Sequence, residues 1–131
     1  INGRTLYTAG SALPNSGSPW SVTLLGDLRV PIEERTYYLH ADYTYKSKER
    51  RTGATDPGSY SYDVNAPVTQ SYEIVNMRAG VELGQIDLSL YMNNVFNAAP
   101  QIGLTHTKNQ PTYTTFVVRP RTVGLTASLN F

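Results

Sequence analysis

Apolar and polar residues alternate along most of this chain with a period of two, the mark of a ribbon that turns one oily and one wet face outward. The last segment is the clearest. Val123, Leu125, Ala127, Leu129 and Phe131 alternate with Gly124, Thr126, Ser128 and Asn130. Tyr37, Leu39, Ala41, Tyr43 and Tyr45 form a second stripe, opposed by Tyr38, His40, Asp42, Thr44 and Lys46. Val75, Met77, Ala79, Val81 and Leu83 form a third, and Ile86, Leu88, Leu90 and Met92 a fourth. A weaker stripe runs Val22, Leu24, Leu28, Val30, interrupted at Leu25 and Gly26. Nowhere do apolar residues recur at three and four for a useful length, so no helix is predicted. The pattern predicts an all-β chain with strands of about nine to eleven residues, longer than the usual five or six.

The connections alternate in length. Leu83-Gly84-Gln85 leaves space only for a tight turn, and Pro31 to Glu34 reads as another, with Pro31 ending the strand because it has no N–H for the ladder. Between them lie two long polar segments, Ser47 to Gln70 and Asn97 to Pro120. Ile1 to Pro19 reads as most of a further long connection. Long irregular loops are uncommon inside compact domains. An antiparallel up-and-down meander of about five strands, with tight turns at one end and long loops at the other, is the order of a transmembrane β-barrel.

Alternation alone also suits a two-layer soluble sandwich. Three features favour a barrel wall. The strands are long enough to cross a bilayer at a tilt. Aromatic residues with a polar tip, Trp20, Tyr37, Tyr43, Tyr45 and Tyr72, sit near strand ends, where a headgroup girdle would lie. The wet face carries Asp27, Arg29, Asp42, Arg78, Glu82 and Asp87, which need water or each other. Composition agrees: 10 Tyr against 3 Phe and 1 Trp, and only 16% charged residues, where an ordinary soluble domain has about 25%. A net charge of +1 argues against a nucleic-acid partner recruited by bulk electrostatics. The lack of Cys excludes disulfide scaffolds and thiolate chemistry.

No catalytic set emerges, and the expectation is a protein that is not an enzyme and uses no cofactor. His40 and Asp42 share one strand face, but two ligands are too few for a metal, and His106 falls in a distant segment. The run from Lys46 to Arg51 is mainly basic; it suits a hydrated loop base, or contact with lipopolysaccharide phosphates or an anionic ligand. Tyr60, Tyr62 and Tyr113 lie in the long segments, where ligand-contacting residues are usually carried.

The tail Arg119-Pro120-Arg121-Thr122-Val123-Gly124-Leu125-Thr126-Ala127-Ser128-Leu129-Asn130-Phe131 resembles the closing strand of the TonB-dependent outer-membrane receptors. Asp87-Leu88-Ser89-Leu90-Tyr91-Met92-Asn93-Asn94-Val95-Phe96-Asn97 is similar to that family's "N-L-F-N/D" element, with Val95 where Leu is usual. Leu13-Pro14-Asn15 followed by Pro19-Trp20-Ser21 resembles its approach to an earlier strand.

The resemblance implies that residues 1–131 are the C-terminal segment of a 22-stranded barrel in the outer membrane of a Gram-negative cell. The plug, the earlier strands and the energy-coupling segment would lie elsewhere in a longer protein. Such a receptor imports a scarce nutrient: a siderophore, cobalamin, a metal complex or an oligosaccharide. Its partners are outer-membrane lipid, the barrel-assembly machinery, the TonB complex through the N-terminal part, and a small-molecule ligand. By position, Val123, Leu125, Ala127, Leu129, Ile86, Leu88, Leu90 and Met92 would face lipid. Phe131 would end the barrel-assembly signal, and Trp20, Tyr37, Tyr43 and Tyr45 would belong to the aromatic girdle. The alternatives are a small self-standing outer-membrane barrel and a soluble β-sandwich binding module.

Overall fold

The computed structural model describes residues 17–50, 62–65, 67–107 and 109–130. Every regular element among them is a strand: β1 (Ser21–Ile32), β2 (Arg35–Lys46), β3 (Tyr72–Leu83), β4 (Ile86–Asn93), β5 (Gln101–His106), β6 (Tyr113–Val117) and β7 (Thr122–Leu129). Five of them form one antiparallel sheet in the order β1-β2-β3-β4-β7, and β5 pairs with β6 in a separate two-stranded sheet. The five-stranded sheet is therefore a meander, with the β5–β6 hairpin inserted before the last strand. Four of the predicted stripes end in the expected strands, and the β1 stripe holds as well.

The tight turns are two residues each. Glu33 (φ 55°) and Glu34 join β1 to β2; Gly84 (φ 60°) and Gln85 join β3 to β4. Positive φ is what two-residue hairpin turns require to match strand twist. Gly84 adopts it without steric cost, whereas Glu33 adopts it as a non-glycine residue. Both turns lie at one end of the sheet. Lys46, Tyr72, Asn93 and Thr122, where the chain leaves and re-enters the sheet for its long connections, lie at the other.

Three expectations need correction. Pro31 does not end β1: it pairs with Thr36, and the turn shrinks to Glu33–Glu34. β1 is an edge strand of this sheet, the position in which a strand tolerates proline. Leu25 and Gly26 interrupt the apolar alternation as expected, while the strand runs on through them in register with Asp42 and Ala41. Only their residue types are unusual for their faces. The segment Asn97 to Pro120 is not irregular throughout, since it contains β5 and β6. Strand lengths also differ from expectation: β1, β2 and β3 have 12 residues each, β4 and β7 have 8.

No hydrophobic residue among those described is buried. Among the described residues, the only strands in contact are hydrogen-bonded neighbours. The sheet is thus one layer, and its apolar face is covered by nothing within the described residues.

Candidate functional site

Directly opposed residues of an antiparallel pair share a face, so the register reads out each face row by row. Leu28, Leu39, Ala79, Leu90 and Leu125 form one continuous row across all five strands. Above it run Gly26, Ala41, Met77, Met92 and Val123; below it run Val30, Tyr37, Val81, Leu88 and Ala127. The next row down is Ile32, Arg35, Leu83, Ile86 and Leu129. The two uppermost rows are Leu24, Tyr43, Val75 and Val22, Tyr45, Glu73. Arg35 in the lowest row and Glu73 in the highest are the charged residues of this face, and every position between those rows is uncharged. Its large side chains are open to the surroundings, Leu125 to 83%. All eight residues expected to face lipid lie here, paired Ile86 with Leu129, Leu88 with Ala127, Leu90 with Leu125 and Met92 with Val123.

The aromatic residues sit at the two ends of this face. Tyr43 and Tyr45 occupy the upper rows, and Tyr37 the row above Arg35 and Ile86. The Tyr43 hydroxyl donates to Glu73 Oε2 at 3.0 Å. Trp20, just before β1, is exposed; its backbone N–H donates to Ser47 Oγ at 3.1 Å, and its carbonyl accepts from the Ser47 N–H at 3.0 Å.

The opposite face is a network of cross-strand hydrogen bonds. His40 Nδ1 donates to Asp27 Oδ1 at 2.7 Å, and Arg29 Nη1 to Glu82 Oε1 at 3.1 Å. The Tyr38 hydroxyl donates to Asp87 Oδ1 at 2.8 Å, Asn76 Nδ2 to Asp42 Oδ2 at 2.8 Å, and Arg78 Nη2 to Thr126 Oγ1 at 3.2 Å. The Arg29 guanidinium lies 5.7 Å from the centre of the Tyr38 ring. Two glycines serve this network. The Tyr38 ring lies over Gly80 and the Tyr91 ring over Gly124, in space that a Cβ would claim. Ser89, between Gly80 and Thr126 in the same row, is 5% exposed, and its hydroxyl has no hydrogen-bond partner among the described residues. Leu25 stands exposed on this mainly polar face, which also carries Pro31 and Ile74.

The end of the sheet with long connections is pinned by Asn94. It is 3% exposed and has φ 53°. Its N–H donates to Asn76 Oδ1 at 2.9 Å. Its Nδ2 donates to the carbonyls of Ala98 (2.7 Å) and Arg119 (2.9 Å), and its Oδ1 accepts from the Ala98 N–H at 2.8 Å. Asn97 Oδ1 accepts from the Arg121 N–H at 3.0 Å. The Asn94 side chain thereby ties the exit of β4 to the return towards β7, and its backbone N–H adds a bond to Asn76 of β3. The spacing of polar residues held no signal for this role; the "N-L-F-N/D" resemblance marked the position without a mechanism.

Farther out, the two long connections meet. His106 on β5 donates from Nδ1 to Asp63 Oδ2 at 2.7 Å and from Nε2 to the Gln110 carbonyl at 2.8 Å. Its ring stacks on Tyr113 of β6, with centroids 4.5 Å apart. Its side chain is 4% exposed and that of Asp63 13%. Tyr62 lines the cleft beside this pair. Two of the three loop tyrosines singled out by sequence are thus brought to one place, by a histidine the sequence left unassigned. Tyr60, Arg51, Phe131 and Leu13-Pro14-Asn15 lie outside the described residues. Among those described, no group of three or more His, Asp or Glu side chains is placed to hold a metal ion. Comparison with protein-family models, with curated proteins and with solved structures gives no match in any of the three.

Proposed function

We propose that this chain is the C-terminal wall segment of a TonB-dependent outer-membrane receptor, which takes up a scarce nutrient with energy delivered through the N-terminal part of the longer protein. The observation that carries it is the apolar face: five strands in one register, charged only at the top and bottom rows, with no second layer on it among the described residues. Twelve residues at about 3.3 Å each make a ribbon about 40 Å long. Tilted by about 45° it spans about 28 Å, close to the ~25 Å apolar band of outer-membrane barrels. Tyrosines flank that band, as interfacial rings do. The hydrogen-bonded polar face suits a hydrated interior. Phe131 would close the assembly signal, and the long connections would face the cell exterior.

The test is alternating accessibility in the full-length protein in its native membrane. Single cysteines at Leu88, Leu90, Leu125, Ser89 and Thr126 carry a spin label. Leu88, Leu90 and Leu125 are expected to be accessible to oxygen, which partitions into lipid. Ser89 and Thr126 are expected to be shielded from lipid-dissolved oxygen. If Leu90 and Leu125 are instead shielded from both lipid and water by another layer of protein, the chain is a sandwich sheet and not a barrel wall. A small self-standing barrel would give the same alternation. It is distinguished by a heat-dependent shift in gel mobility of the isolated 131-residue chain.

A further inference from the structure

The cleft where the two long connections meet has a volume of about 430 Å³ and is lined by Tyr62, Asp63, Asn65, His106, Asn109 and Gln110, with Val64 at its side. Its floor is built and fixed. The buried His106 ring is held at both nitrogens, by Asp63 and by the Gln110 carbonyl, and is stacked on Tyr113. The Asp63 carboxylate is also engaged at its other oxygen, which accepts from the Asn65 N–H at 3.0 Å. No described residue lining the cleft is a lysine or arginine. What remains on offer is three carboxamides, of Asn65, Asn109 and Gln110, none of which donates to or accepts from another described residue, and one phenol.

We propose that this cleft binds a neutral, polyhydroxylated ligand of the saccharide class. A carboxamide offers a donor and an acceptor side by side, which matches a pair of neighbouring hydroxyls. An aromatic ring offers a flat apolar surface for the C–H face of a sugar ring, and a phenol adds a polar edge. Among the described lining residues both His106 nitrogens are already taken by Asp63 and the Gln110 carbonyl, so they offer an anionic ligand no unpaired cation in return for its hydration. The pinned floor lowers the cost of ordering the loops on binding. The cleft depends on the proposed receptor function only for which side of the membrane it faces.

Titration calorimetry on the full-length protein, in a detergent without a sugar headgroup, tests this. The probes are neutral oligosaccharides of glucose, mannose, galactose and xylose, together with the uronate forms of the hexose series. At least one neutral oligosaccharide is expected to bind, more tightly than its uronate counterpart. Tyr62→Leu is expected to weaken it by about tenfold and Gln110→Ala by about fivefold, with Tyr62→Phe close to wild type. Both side chains border open space, so folding survives, and an unchanged heat-dependent gel mobility checks this. Binding by none of the neutral probes, tighter binding of a uronate, or equal binding by Tyr62→Leu and wild type overturns the proposal. Each of those results leaves the oxygen-accessibility pattern of Leu90 and Leu125 untouched, so a failure here is separable from a failure of the receptor assignment.

Discussion

Asn94 concentrates more structural consequence than any neighbour in the sequence. It is buried, takes a left-handed backbone conformation and uses both ends of its amide on two chain segments, at Ala98 and Arg119. Asn is the non-glycine residue that best combines positive φ with local hydrogen bonding. Asn94→Ala is expected to lower stability by about 2 kcal/mol, because two part-buried carbonyls and an N–H lose their partner. A lower unfolding temperature in detergent, with faster proteolysis in the 94–121 connection, is the expected readout. The glycines Gly80 and Gly124 make a graded pair. A Cβ at Gly80 would meet the Leu88 carbonyl at 2.8 Å as well as the Tyr38 ring, whereas at Gly124 the three nearest atoms all belong to the Tyr91 side chain. Backbone cannot step aside as a ring can. Gly80→Ala is therefore expected to cost about 1–3 kcal/mol, and Gly124→Ala measurably less, in the same thermal assay.

The strands β4 and β7 show how face decides the effect of a substitution. Leu125 and Ser128 stand three residues apart on β7, one on the apolar face and one opposite Asp87 on the polar face. Leu125→Arg is expected to destabilise a membrane-inserted barrel by about 2–4 kcal/mol, as it places a charge in the middle rows of the apolar band. Ser128→Arg is expected to stay within about 0.5 kcal/mol, since it enters a face already bearing charges. Equal effects at the two positions would contradict burial of the apolar face in lipid. The β5–β6 hairpin was not legible in advance. Thr105, Thr114 and Thr115 are good strand formers, but the segment lacks the two-face contrast that marks the other strands, and its register shifts between Gln101 and Gly103. Its pairing is local, and a period-two scan has little to detect there.

The described sheet has an unpaired edge at β1, another at β7, and no core beneath either face. A single layer with open edges invites pairing with other strands, and an oily face of this extent is far larger than a soluble monomer usually exposes. The isolated chain in plain buffer is expected to self-associate, and analytical ultracentrifugation reads this directly. A stable, monodisperse monomer without detergent would mean that the apolar rows find cover within the 131 residues.

Much of this protein was written locally. Side-chain alternation is a property of the chain itself, so the stripes at Tyr37–Tyr45, Val75–Leu83, Ile86–Met92 and Val123–Leu129 mark strands wherever they are placed, and Gly84-Gln85 marks a turn on its own. Which face each stripe joins is not local. Register depends on pairing between distant segments, and only the assembled sheet aligned Leu28, Leu39, Ala79, Leu90 and Leu125 in one row. The meeting of Asp63 with His106, and of Asn94 with Arg119, was likewise decided in three dimensions. Those contacts join residues 43 and 25 positions apart, and no periodicity along a chain encodes a contact between two of its loops.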